Sequence, residues 1–304
     1  MLTCRGNTGS KSGNWELGNL RIALAFALAL QAPAAGFDSN RAWEHLRQLV
    51  GFGPRPAGSA AIEQARGYIQ KQLEAAGVQV VEQAWEDKTP VGPIKMVNLV
   101  ATIPGASRNR LIIGGHYDTK RFREFRFVGA NDGGSSAAFL IELARVLKMR
   151  KNALTIEILF LDGEEAVVDW TGTDNTYGSR HYVSAARQNG SLATAKAFVL
   201  VDMIGDRDLQ LTRETHSTPW LDGIIRTAAT AQKLGTYFSG PPLALEDDHL
   251  PFLAAGIPSV DLIDFDFPAW HTAGDTLDAV SARSLQIVGD VLLAALPQIE
   301  AKLK

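Results

Sequence analysis

The sequence predicts an α/β protein whose central sheet is largely parallel. Short, continuous apolar runs recur along the chain, as in strands that are buried on both faces. The later runs are separated by segments with apolar residues every three or four positions, which is the period of an amphipathic helix. Because parallel strands are joined through helical crossovers, this alternation indicates an α/β sandwich.

The composition is that of an ordinary folded protein. The 304 residues are 46% apolar and 21% charged, which is enough to bury the core of one large domain or two small ones. The 30 basic and 33 acidic side chains are interspersed. A surface that neutralises phosphates needs a basic excess, so we expect no nucleic-acid partner. A single cysteine, Cys4, leaves no intramolecular disulfide and no thiolate metal site.

The N-terminus has the pattern of a signal peptide. The apolar run Ile22–Leu30 follows basic residues and precedes Ala32-Pro33-Ala34, which fits the small-x-small cleavage rule. We expect residues 1–35 to be a signal peptide and the mature protein to be exported, to the periplasm or the medium. A transmembrane helix needs roughly 20 apolar residues. This run has about half that length, so we expect no stable membrane anchor.

Five helices are predicted after the leader. The first starts at Asp38 or Ser39, which are both good N-caps, and the second runs from Ser59 to Gly77. Apolar residues at helical spacing predict three more helices: Ser135–Met149, Pro219–Lys233 and Ala282–Lys302.

Six segments rich in apolar and β-branched residues are predicted to be strands. They are Val78–Val81, Met96–Ile103, Leu111–Ile113, Leu154–Leu161, Phe198–Val201 and Ile257–Ile263. No internal repeat, low-complexity tract or Pro/Gly/Ser-rich linker follows residue 37. We therefore predict a single domain over residues 36–304.

Candidate functional residues follow the predicted strands. One strand leads into His116-Tyr117-Asp118, the next into Asp162-Gly163-Glu164-Glu165, and a third into Asp202. Ligand sites of open α/β sheets form at the carboxyl ends of the strands, because the chain there turns into loops over a crevice. With Asp132 and His271, these residues supply nitrogen and oxygen ligands that suit a catalytic zinc ion.

The adjacent pair Glu164 and Glu165 is costly at the end of a buried strand, because two like charges repel. A metal ion on one glutamate and a proton on the other would remove the repulsion. Other segments have ordinary structural explanations when taken singly. Glu246–His249 suits the N-terminus of a helix, and Trp170 and Trp270 suit a hydrophobic core.

Taken together, the motifs resemble those of a known family. His116-Tyr117-Asp118, Asn131-Asp132-Gly133-Gly134, Asp162-Gly163-Glu164-Glu165, Asp202 and His271 resemble, in that order, the metal-site series of the M28 zinc aminopeptidases. Further segments are similar to the glutaminyl cyclases that share this fold: Phe127–Ala130, Trp170 with Tyr177–His181, Glu246–Phe252 and Phe267–Thr272. The resemblance implies a three-layer α/β/α sandwich with a mixed, centrally parallel sheet of the zinc-exopeptidase type.

The family pattern implies one zinc ion per chain with these ligands: Asp132, Glu165 and His271. It makes Glu164 the proton shuttle and adds two catalytic carboxylates, Asp202 and Asp247. Substrate contacts are implied for Trp170, Trp270 and Asp261. His116 matches a ligand of the second metal ion of the aminopeptidases.

The chain also departs from the animal cyclases. Gly115 and Ala137 stand where those enzymes have a cysteine pair, and Asp261 stands where they have a histidine that lines the active site. A cysteine-free, exported form with Asp261 is expected to be bacterial.

The resemblance implies a glutaminyl-peptide cyclotransferase, an acyltransferase that converts the N-terminal glutamine of peptides or proteins to pyroglutamate and releases ammonia. The alternative is an M28 aminopeptidase with two zinc ions, in which His116 and Asp202 hold the second ion and Asp132 bridges. The residues of both enzymes are present. We expect a monomer.

Overall fold

The computed structural model describes Gly9 and residues 36–304. Apart from Gly9, the predicted signal peptide lies outside the described residues, so its boundary at residue 35 stays a prediction. Residues 36–304 belong to one compact unit. Among the described helices, none combines the length and apolar character that a membrane crossing requires.

The described residues contain seven α-helices and eight strands. The helices are α1 Ser39–Gly51, α2 Ala60–Ala75, α3 Gly134–Met149, α4 Tyr177–Gln188, α5 Pro219–Ala231, α6 His249–Ala254 and α7 Ala282–Lys302. The strands are β1 Gln79–Thr89, β2 Gly92–Ile103, β3 Ser107–His116, β4 Leu154–Leu161, β5 Ala195–Asp202, β6 Arg213–Glu214, β7 Pro242–Leu243 and β8 Ser259–Ile263.

Six strands form one mixed sheet in the order β1-β2-β4-β3-β5-β8. The four strands from β4 to β8 run parallel, whereas β1 and β2 form an antiparallel hairpin at one edge. The predicted α/β class with a centrally parallel sheet is therefore confirmed. Parallel strands place their carboxyl ends at the same edge of the sheet, so the segments after β3, β4, β5 and β8 converge.

Helices cover both faces of this sheet. On one face α1, α3, α5 and α7 pack into the larger core, which α2 extends toward the hairpin. On the other face α4 and α6 pack into a smaller core against β4, β5 and β3. The predicted three-layer arrangement is confirmed, although the sequence did not predict α4 or α6. Helix α4 is largely polar, and α6 has six residues and contains Pro251.

The helix starts follow from local capping. Asp38 Oδ1 accepts a hydrogen bond from the backbone N–H of Asn40 at 3.0 Å, and Ser59 Oγ accepts one from Ile62 at 3.2 Å. The strand predicted at Val78–Val81 is longer than expected, because β1 continues to Thr89 with an exposed charged face. Charged residues on an edge strand protect it from pairing with other chains. They also interrupt the apolar run, so the sequence pattern did not predict the full length of β1.

Gly115, at the end of β3, allows helix α3 and strand β5 to approach the sheet closely. A Cβ atom at this position would lie 2.5 Å from the carbonyl oxygen of Val201 and 2.8 Å from the Cβ of Ser136. The backbone oxygen cannot rotate away as a side chain could. A side chain of any size is therefore excluded from this position without movement of β5.

We predict that Gly115→Ala destabilises the protein by about 1–3 kcal/mol, the usual cost of overpacking a core. Gly67→Ala is the matched control, because Gly67 lies on the exposed side of α2 with no atom near the added methyl group. That change should stabilise by about 0.5–1 kcal/mol through helix propensity. Urea denaturation of both variants measures the difference. Equal stability of the two variants would contradict the close approach.

Candidate active site

The functional residues that the sequence predicted meet at the carboxyl edge of the sheet. His116 ends β3, Asp202 ends β5, and Glu164 and Glu165 follow β4 directly. The remaining members come from loops and helix starts at the same edge: Asp132 before α3, Asp247 before α6 and His271 after β8. Four different strands therefore bring one site together.

Three of these residues form a candidate metal site. His271 Nε2 lies 3.3 Å from Asp132 Oδ2 and 3.3 Å from Glu165 Oε1. One donor atom from each residue falls within 4.8 Å of the others. Asp132 Oδ2 is buried and makes no hydrogen bond, and His271 has a left-handed backbone conformation with φ of 51°. Two oxygens and one nitrogen around an unsatisfied buried carboxylate fit a divalent cation.

The charges of this triad also favour a cation. Burial favours the neutral form of Asp132, but the nearby imidazoles of His116 and His271 outweigh it and hold the pKa of Asp132 below its ordinary value. Burial, together with the charge of Asp132, raises the pKa of Glu165 to about 7. Burial opposes protonation of His271, yet the two carboxylates raise its pKa to about 9. Without a metal ion, protons supply the positive charge that these ligands need.

His116 belongs to a second triad that shares Asp132. Its Nε2 lies 3.2 Å from Asp132 Oδ1 and 3.1 Å from Asp202 Oδ1, and the donor atoms of the three residues also fall within 4.8 Å of one another. Gly133 makes this packing feasible, because a Cβ atom there would lie 2.3 Å from the Asp118 carbonyl oxygen and 3.0 Å from the His116 ring. Gly133, with φ of 76°, is the N-cap of α3, so Asp132 lies one residue before the N-cap.

Glu164 is held beside the first triad by its own backbone. Asp118 accepts hydrogen bonds from the backbone N–H groups of Glu164, at 3.2 Å, and Glu165, at 3.4 Å. Burial raises the pKa of Glu164 well above its ordinary value; the charges of Asp247 and Glu165 add to the effect and His116 opposes it. A carboxyl group with a raised pKa can both accept and return a proton near neutral pH.

Two further aspartates differ in their access to the pocket. Asp247 lines it, and burial followed by the charge of Asp202 raises the pKa of Asp247 well above its ordinary value. Asp261 is 1% exposed, and it is not among the residues that line the pocket. Neither of its carboxylate oxygens has a hydrogen-bond partner. The structure therefore places Asp261 behind the wall of the pocket.

The triads open into a cavity of about 400 Å³. Trp170 and Trp270 both line it; Trp170 Nε1 donates to Glu246 Oε2 at 3.3 Å, and Trp270 stacks on the His271 ring at 4.2 Å. The sequence did not predict several other lining residues, among them Lys120, Leu245 and Phe265. Lys120 begins the basic and aromatic segment Lys120–Phe127, whose local sequence indicates only a surface loop. Leu245 and Phe265 adjoin predicted site segments, but nothing in their local sequence marks them.

Comparisons with known proteins show which family this chain is similar to. The model of "Peptidase family M28" matches residues 98–296. A glutaminyl-peptide cyclotransferase-like protein of Mus musculus is 33% identical over 293 residues, which cover 85% of this chain and 76% of the relative. A crystal structure of an Acidobacteriales bacterium glutaminyl cyclase is 38% identical with a TM-score of 0.83, covering 90% of this chain and all of that one. The Porphyromonas gingivalis glutaminyl cyclase is 28% identical with a TM-score of 0.79, covering 86% of this chain and 99% of its own.

Arg55 holds the loops next to the site in place, and the sequence did not predict this role. Its guanidinium is fully buried and donates to five backbone carbonyl oxygens: those of Leu49, Gly53, Tyr117, Val128 and Gly129. Tyr117 follows His116, and Gly129 begins the turn that leads to Asp132. The position of Arg55 between two prolines was the only local signal for its role.

We predict that Arg55→Met destabilises the protein by at least about 3 kcal/mol, because several buried carbonyl oxygens lose their donor at about 1–3 kcal/mol each. Arg47→Met is the control: Arg47 is half exposed and pairs only with the equally exposed Glu44, so the change should stay within about 0.5 kcal/mol. Urea denaturation measures both. The support role of Arg55 is wrong if the two variants lose the same stability.

Proposed function

The chain belongs to peptidase family M28 and, within it, to the glutaminyl-peptide cyclotransferases, and we propose how its residues convert N-terminal glutamine to pyroglutamate and ammonia. The observation that supports this mechanism best is the position of Glu164. It is a buried carboxyl group with a raised pKa, and it lines the same pocket as Asp132, Glu165 and His271. The substrates are peptides or proteins that begin with glutamine.

We propose that Asp132, Glu165 and His271 hold one zinc ion. Their two carboxylates and one imidazole suit zinc, although the ligand types alone also admit other divalent metals. A bound zinc ion supplies Lewis-acid polarisation of the side-chain carbonyl group of the substrate glutamine. Because Asp132 and Glu165 both have carboxylate oxygens in this cluster, the pair also provides the negative charge that retains such an ion.

The reaction is an intramolecular aminolysis. The α-amine nitrogen of the substrate attacks the side-chain amide carbon, a C–N bond forms, and the bond to the amide nitrogen breaks. Glu164 accepts a proton from the attacking amine and returns it to the departing nitrogen, which leaves as ammonia. The amine and the amide belong to the same residue, so proximity lowers the barrier. The protein mainly has to fold the glutamine side chain back on itself.

Asp202 and Asp247 complete the proposed catalytic hydrogen-bond network. Both line the pocket with Glu164. Burial and the charge of Asp202 favour the protonated form of Asp247. A protonated Asp247 can donate a hydrogen bond inside the pocket, whereas an ionised carboxylate can only accept one. We assign Asp247 the task of orienting the substrate amide against Glu164.

The pocket walls select and shield the substrate. Trp170 and Trp270 provide flat apolar surfaces around a cavity that is large enough for one amino-acid side chain. We propose that they enclose the glutamine side chain once it is bound, which would disfavour hydrolysis to glutamate. We assign these two residues to substrate binding and retain Asp261 as a residue that acts from behind the wall.

An M28 aminopeptidase with two metal ions is the alternative, and one observation favours it. His116, Asp132 and Asp202 form a second candidate metal triad. The glutaminyl cyclase relatives favour cyclisation over peptide hydrolysis. His116 then serves as a hydrogen-bond partner of Asp202, at 3.1 Å.

We further propose that residues 1–35 direct export to the periplasm or the medium. Residues 36–304, which lie in one compact unit, then form a single zinc-dependent catalytic domain. We also propose that the protein is a monomer.

We predict that the purified mature chain releases ammonia from a peptide that begins with glutamine and leaves a peptide that begins with leucine intact. Mass spectrometry detects the loss of ammonia, and metal analysis of the same sample should find zinc in the Asp132 triad. Shortening of the leucine peptide would instead establish the aminopeptidase and make His116 a metal ligand.

We predict that Glu164→Gln lowers kcat by about 10²–10⁴-fold, the usual contribution of a general acid–base group, and leaves the zinc content unchanged. The neighbouring change Glu165→Gln is the control, since it should remove turnover together with the zinc ion of the Asp132 triad. Steady-state kinetics and metal analysis separate the two roles. Loss of zinc from Glu164→Gln would show that Glu164 is a ligand and not the proton shuttle.

A further inference from the structure

A second group of ligand-type side chains lies outside the catalytic pocket. We call it the rear cluster: Glu214, His216 and His249, with Asp261 behind His249. Glu214 ends β6, His216 follows two residues later, and His249 begins α6. One donor atom from each of the first three residues lies within 4.8 Å of the others. None of these three residues lines the catalytic pocket.

His249 is the unsatisfied member of the rear cluster. Its side chain is fully buried, and neither ring nitrogen has a hydrogen-bond partner among the residues that the structure describes. Nε2 faces Glu214 Oε2 at 3.3 Å. Buried polar atoms in native proteins are normally paired, and an unpaired one calls for an unseen ion or water. An ion bound to Nε2 would satisfy this nitrogen.

Asp261 lies on the opposite side of the His249 ring. Its Oδ2 is 3.8 Å from His249 Nδ1, and both of its oxygens are buried and unpartnered. Metal-binding histidines usually donate their second ring N–H to a carboxylate, which fixes the tautomer and the orientation of the ring. If Glu214 and His249 Nε2 bind an ion, Asp261 occupies the place of this carboxylate, on the far side of the His249 ring.

His216 supplies the remaining donor and an entry path. Its Nδ1 lies 2.9 Å from Glu214 Oε1, and about half of its side chain is exposed. An ion can therefore enter from solvent and keep a water molecule on its open side. Glu214 Oε1 also accepts a hydrogen bond from the backbone of Leu245 at 3.3 Å, and Leu245 lines the catalytic pocket.

We propose that Glu214, His216 and His249 bind a second divalent transition-metal ion, with Asp261 orienting His249. Two imidazole nitrogens and one carboxylate oxygen suit Zn²⁺ and neighbouring transition metals, whereas Ca²⁺ and Mg²⁺ prefer oxygen ligands. Through Glu214 and Leu245, the ion stabilises one wall of the catalytic pocket without contacting the substrate. The role is structural, because the ion takes no part in the proposed proton transfer.

Zinc binding to the mature chain tests this site. A chelator first removes all metal from the protein. Zn²⁺ is then added back, and the zinc bound per chain is measured by inductively coupled plasma mass spectrometry. The wild type should bind one zinc more than His216→Ala, whose exposed side chain can be removed without disturbing the core. Asp261→Asn should weaken this second site about 10–100-fold, as expected when the partner of a metal-bound histidine is lost.

His181→Ala is the matched control, because His181 stacks on Trp85 away from both sites and should leave the zinc content unchanged. In His271→Ala, the zinc of the catalytic triad should be lost and the zinc of the rear cluster retained. The proposal is overturned if His216→Ala and Glu214→Gln bind as much zinc as the wild type. It is equally overturned if the additional zinc disappears only when His116 is replaced.

Discussion

Carboxylates buried at one edge of the sheet are the constraint on which the rest of the site depends. Five of them line the pocket: Asp132, Glu164, Glu165, Asp202 and Asp247. Removing an ion from water costs several kcal/mol unless it is paired or neutralised. The imidazoles of His116 and His271 neutralise only part of this charge. The remainder is neutralised by a metal cation or by protons, and burial raises the pKa of Glu164 and of Asp247 in the direction that favours their protonated forms.

The scaffold must hold these repelling groups together without covalent crosslinks, and it does so through backbone hydrogen bonds. Asp118 binds the amides of Glu164 and Glu165, and Asp275 accepts from the amides of Asn131 at 2.7 Å and Asp132 at 3.1 Å. The guanidinium group of Arg55 donates hydrogen bonds to backbone carbonyl groups that follow His116 and precede Asp132. The anions are thus fixed by their own main chain, so their side chains stay free to bind metal or to move a proton.

The sequence predicted what is encoded locally. A continuous apolar run predicts a buried strand, and an acidic residue directly after the run indicates the edge of the sheet where ligands bind. For this reason the sequence predicted the site residues after β3, β4 and β5. Contacts between distant segments leave no such pattern. Arg55 meets carbonyl groups up to 74 residues away, and the short helix that places His249 opposite Glu214 has no apolar period. Metal, catalytic and substrate roles of individual residues were inferred from a family resemblance and from local chemistry, and they remain proposals.

His271 and His249 each lie beside two carboxylates, yet their surroundings differ. His271 is partly exposed, stacks on Trp270 and opens into the catalytic cavity, so a cation held there can reach a substrate. His249 is fully buried and does not line that cavity, and the neighbouring His216, beside Glu214 Oε1, is half exposed. Similar donor sets therefore differ in their access to a substrate. Access, rather than ligand chemistry, is the reason why we propose a catalytic role for the first site and a structural role for the rear cluster.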